Sequence, residues 1–117
     1  MTGEGCEAFV SDCQVRAAVE LVDHAWDPVV LSALRRGPTR RNDLLAGING
    51  VSDKVLTQAL RRLLARGLVS RSREAGTGTV YRLSVLGESF ASGPLAHLAR
   101  WAAEHQAELA ELPTPPS

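Results

Sequence analysis

The chain has 117 residues, 44% of them hydrophobic and 22% charged, with a formal net charge of zero. That suits one domain whose core needs no disulfide or metal staple. No apolar run reaches the length of a membrane span, the acids between Met1 and Asp12 exclude a signal peptide, and two cysteines are too few for a disulfide framework, so a cytoplasmic protein is expected.

Residues 1–12, with Gly3, Gly5 and scattered acids, show no period and are expected to be unstructured. From Gln14, Val15, Ala18, Val19 and Val22 recur at helical spacing. Asp27 then reads as a cap with Pro28 in the first helical position, Val29, Val30, Ala33 and Leu34 as the buried stripe, and Gly37-Pro38 as the stop. Thr39 reads as the N-cap of a short helix through Ala46, buried through Leu44 and Leu45.

The strongest helix follows, from Asp53 to Arg66, with Ser52 as N-cap and Gly67 just past its end. At 100° per residue Leu56, Ala59, Leu60 and Leu63 share one side; Lys54, Thr57, Gln58, Arg61 and Ala65 share the other, flanked by Arg62. Leu68–Arg73 and Thr79–Leu83 alternate as strands around a hairpin tip at Glu74–Gly78. Leu95, Leu98, Trp101, Ala102, His105 and Leu109 mark one long C-terminal helix, about 85–112, before a loose tail at 113–117.

The zero net charge hides a polarised distribution. Between Arg35 and Arg82 stand eleven cations against three acids, a net of +8; the rest of the chain has two cations against ten acids, a net of −8. A basic middle between acidic ends is the footprint of a phosphate-binding surface. Helices from Asp27 to Arg66, then a hairpin, then another helix describe a mainly α winged helix-turn-helix over 13–112, with the hairpin as wing. Its third helix would enter the major groove of double-stranded DNA, offering base edges Lys54, Thr57, Gln58 and Arg61. Ser52 and Arg62, with Arg40 and Arg41 on the preceding helix, would meet phosphates, and Arg71, Arg73, Thr77 and Arg82 would act from the wing.

Over about residues 13 to 105 the chain resembles the HxlR-type branch of MarR-like winged-helix transcriptional regulators. The resemblance lies in Cys13-Gln-Val-Arg-Ala-Ala, Trp26, the block from Gly50 to Leu63 with its Ser-x-Lys-x-Leu-Thr-Gln-x-Leu pattern, Arg66-Gly-Leu-Val69, and Tyr81-Arg-Leu-Ser-Val-Leu-Gly87. It implies a bacterial or archaeal homodimer on a pseudo-palindromic operator, a repressor, joined through its N- and C-terminal helices by Val15, Val19, Leu95, Leu98, Trp101 and Ala102. The chain departs from the family in three places: Gln14 replaces a proline, Arg41 an aromatic, and the tip from Ala75 to Gly78 is short. Cys13 stands where some members resemble thiol redox sensors, and Cys6 could resolve a sulfenic acid there; control by an oxidant and control by a small-molecule effector are both open.

No pair among His24, His97, His105, Cys6 and Cys13 has structural zinc spacing, so neither a metal nor a cofactor is expected. Trp26 and Trp101 read as core or dimer anchors. With no nucleophile motif and no phosphate loop, an enzyme is not expected. The alternative is a winged-helix protein–protein interaction module without specific DNA binding.

Overall fold

The computed structural model describes residues 10–76 and 78–113. Helix α1 spans Val10–Glu20, so the first helix begins before Gln14 and takes in residues 10–12, expected above to be unstructured. Next come α2 (Trp26–Ala33), a 3₁₀ turn (Leu34–Arg36), strand β1 (Thr39–Arg40) and α3 (Arg41–Gly47). Helix α4 (Asp53–Ala65), β2 (Val69–Glu74) and β3 (Gly78–Leu83) follow, and α5 (Val85–Phe90) opens the C-terminal region.

The core lies between α2 and α4. Val30, Leu31 and Leu34 meet Leu56, Ala59, Leu60 and Leu63, with Leu44 of α3 and Leu68, Val69 and Tyr81 of the hairpin closing the sides. Helix α4 starts where expected and ends at Ala65, one residue before the expected Arg66, which is its C-cap, and both ends are satisfied locally. Ser52 Oγ accepts from the Val55 amide at 3.1 Å. At the other end Gly67 takes φ +75°, and the Leu68 and Gly67 amides return to the Leu63 and Leu64 carbonyls, a Schellman closure that a side chain at position 67 would strain.

Two helix starts differ from expectation. Asp27 does not cap α2: it lies inside the helix, fully buried, with Pro28 one position further in, while Val29 is 41% exposed. Nor does Thr39 cap α3. It joins the two-residue strand β1, pairs with Tyr81, and donates its hydroxyl to the Gly37 carbonyl at 2.9 Å. The wing is therefore a three-stranded antiparallel sheet in the order β1-β3-β2, tied to the helices by β1.

The C-terminal helix is segmented. Pro94 sits within a π turn (Ala91–Leu95), which absorbs its missing amide proton. Helices α6 (Ala96–Glu104) and α7 (Gln106–Ala110) meet at a non-helical His105. At the base of the wing Ser84 caps α5, accepting from the Gly87 amide at 3.0 Å and donating to the Gly67 carbonyl at 2.6 Å. Gly87 presses on the Leu68 backbone so closely that a Cβ would lie 1.9 Å from its carbonyl oxygen.

Candidate nucleic-acid interface

The 3.6-residue period of α4 places its Leu and Ala stripe inward, which leaves Lys54, Gln58 and Arg61 exposed on the outer side, with Thr57 half-buried beside them. Register pairs Arg71 with Tyr81 and Arg73 with Thr79, so both exposed arginines share one hairpin face. Arg82 lies on the opposite face, where its guanidinium meets Glu74 at 3.1 Å and Ser72 at 3.4 Å. Thr77 lies outside the described residues.

The structure divides the cations into two classes. Among the described residues Arg35, Arg36, Lys54, Arg61, Arg71 and Arg73 have neither an acidic partner nor a hydrogen bond to their side chains. Arg40 pairs with Asp43 at 3.0 Å, and Arg66 donates to the Glu20 carbonyl and approaches Asp23 at 3.9 Å. The exposed Arg40–Asp43 and Arg82–Glu74 pairs contribute about 0–1 kcal/mol, so a phosphate opens them at little cost.

Arg62 and Arg41 are turned inward, contrary to the phosphate roles expected of them. The Arg62 guanidinium grips buried Asp27 by three hydrogen bonds, Nε to Oδ1 and Oδ2 at 3.2 and 3.0 Å and Nη2 to Oδ1 at 2.8 Å. Hydrogen bonding to Asp27 raises the Arg62 pKa above its ordinary value, against the opposing effect of burial. Arg41 Nη1 donates to Asp53 Oδ1 at 2.9 Å, and Nη2 to the Asp53 carbonyl at 3.3 Å and to Thr57 Oγ1. Both networks join residues distant in sequence, and no local pattern announces them. Arg35 and Arg36, within the basic stretch, are exposed and belong with the free cations.

The residues expected at a dimer interface divide as well. Val15 and Val19 of α1 and Leu98 and Trp101 of α6 are 58, 51, 58 and 52% exposed, and Ala102 is exposed too. Leu95 is not available: it is 6% exposed and belongs to the protomer's own core. Trp101 stacks on His105 with ring centroids 4.3 Å apart and is no core anchor, whereas Trp26 is half-buried against the core. A groove of about 280 Å³ runs between α1 and the C-terminal segments, lined by Val15, Val19, Val22, Phe90, Pro94 and Leu98 among others. Cys13 is half-buried on α1 and is not a free thiol; Cys6 lies outside the described residues. Among the described residues no cluster of His, Cys, Asp and Glu could hold a metal, and no helix is long and apolar enough to cross a membrane.

Residues 21–110 match the family model described as HxlR-like helix-turn-helix. The chain is 36% identical over 95 residues to the uncharacterized HTH-type transcriptional regulator YtfH of Escherichia coli, covering 80% of this chain and 75% of that one. Its fold matches a solved structure of the ytfH transcriptional regulator from Salmonella typhimurium with a TM-score of 0.71 and 31% identity, over 82% of this chain and 87% of that one. The redox regulator HypR in its oxidized form also has a TM-score of 0.71, over 79% of this chain and 96% of that one, but at 20% identity that likeness is one of fold.

Proposed function

The chain belongs to the HxlR-like helix-turn-helix family, whose members are DNA-binding transcriptional regulators and not enzymes, and from that premise we propose that it is a homodimeric repressor acting on a pseudo-palindromic operator in the cytoplasm. The observation that carries this reading is the division of the cations: those on the outer side of α4 and on one face of the wing are free of internal partners among the described residues. Lys54, Gln58, Arg61 and the Thr57 hydroxyl read base edges in the major groove. Arg71 and Arg73, with Arg40 and Arg82 once their exposed pairs open, hold phosphates. Arg62 serves the core instead.

The exposed apolar residues of α1 and α6 support the dimer, since a monomer would leave Val15, Val19 and Leu98 in water along one groove and Trp101 exposed farther along α6. A two-fold axis through that face would set two recognition helices about 34 Å apart, one turn of DNA.

Alanine variants test the division of labour on the intergenic DNA beside the protein's own gene. Gln58→Ala should relax base choice, losing affinity for operator and little for random DNA. Arg71→Ala should weaken both alike and lower the salt slope by about one. Equal losses on both DNAs for Gln58→Ala would remove it from the base-reading set.

A further inference from the structure

We propose that Arg41 is a specificity-positioning residue: by donating to Thr57, it makes the Thr57 hydroxyl a hydrogen-bond donor toward DNA. This rests on the reading of α4 as the recognition helix. Arg41 is the first residue of α3, and its guanidinium crosses to the first turn of α4, where Nη1 meets Asp53 Oδ1 and Nη2 meets both the Asp53 carbonyl and Thr57 Oγ1. The Arg41 side chain is only 25% exposed, whereas that of Asp53 is 71% exposed.

A free threonine hydroxyl both donates and accepts, and so tolerates any base edge of suitable shape. A guanidinium has five donors and no acceptor, so Thr57 Oγ1 can only accept from Arg41, and its own proton must go elsewhere. The usual outlet in a helix is the carbonyl four residues earlier, here that of Asp53. That oxygen already receives the helical amide of Thr57 and the Arg41 Nη2, which together occupy its two lone pairs. The proton is thereby directed outward, beside Gln58 and Lys54. In the major groove that proton suits an acceptor edge, N7 or O6 of guanine, N7 of adenine or O4 of thymine. Arg41 also neutralises the Asp53 carboxylate, which would otherwise repel phosphate at the start of α4.

The test is a single-base-pair substitution scan of the protein's own operator, read by fluorescence anisotropy for the full-length wild type and for Thr57→Val, Arg41→Met, Arg41→Lys and the Thr57→Val/Arg41→Met double variant, with each variant's thermal melt recorded. Thr57→Val should flatten the preference at one base pair per half-site by roughly tenfold, the scale of one polar base contact. Arg41→Met should flatten the same position, and the double variant should be no flatter than Thr57→Val. Arg41→Lys, which still only donates, should keep most of the preference, a rescue that distinguishes positioning from bulk loss of structure. Undiminished preference in Arg41→Met, a uniform loss on operator and random DNA, or no position affected by Thr57→Val would each overturn the inference. Absence of operator preference in the wild type would instead overturn the reading of α4 on which it rests.

Discussion

Arg62→Met should destabilise the protein by about 3–5 kcal/mol, the usual consequence of stranding one member of a buried ion pair. Asp27 is fully buried inside α2, and the three described hydrogen bonds to its carboxylate all come from Arg62. Removing the guanidinium leaves a carboxylate with neither countercharge nor water. The reverse variant, Asp27→Asn, should cost less, because the Arg62 side chain is 28% exposed and can turn toward solvent. The double variant Asp27→Leu/Arg62→Met should return to within about 2 kcal/mol of wild type, since an apolar pair of similar volume often replaces a buried ion pair without loss. Denaturant unfolding of the four proteins checks the series, and wild-type stability in Arg62→Met would contradict it. The pair adds no pH dependence through Arg62: a pKa raised above its unfolded value gives stability that is present at all lower pH and lost only above it, beyond the working range.

Gly87→Ala should be comparably damaging, at about 3 kcal/mol or more, although alanine is the better helix former by about 1 kcal/mol. The added methyl would lie 1.9 Å from the Leu68 carbonyl oxygen and 2.9 Å from its carbon, both main-chain atoms that no rotamer can move. The same carbonyl accepts from the Ser84 amide at 3.0 Å, so relief of the clash breaks the bond that joins the start of the wing to its exit. The expected signature is a lower melting temperature together with early loss of amide-exchange protection in β2 and β3. A variant as stable as wild type would mean that α5 does not approach Leu68 so closely.

What could be read from sequence was what is encoded within a turn or two of the chain. The Leu56–Leu63 stripe, the Ser52 cap, the Gly67 closure and the alternating hairpin strands all carry local signatures, and each is present. Asp27 before Pro28 carries the same kind of signature for a cap. It is overridden by Arg62, thirty-five residues away, which meets the carboxylate only once α2 and α4 have packed. Thr39 departs from its local cap signature for the same reason, because its pairing partner Tyr81 is more than forty residues distant. The C-terminal period begins at Leu95 and carries no signal for the π turn around Pro94, and Leu95 shares that period with exposed Leu98 while facing the protomer's own core. At the candidate interface the outward residues of α4 followed from helical geometry. Which cations were free did not, because the distant acids that hold Arg41, Arg62 and Arg66 come near only in the folded chain.

DNA recognition is most directly tested by fluorescence anisotropy on the intergenic DNA beside the protein's own gene, across a salt series, with random DNA as competitor. The expected result is binding stronger than to random DNA by about 10³-fold or more, with affinity falling steeply as salt rises. Equal, weak binding to both DNAs would contradict operator recognition and leave the basic face of α4 and the wing to an acidic protein partner.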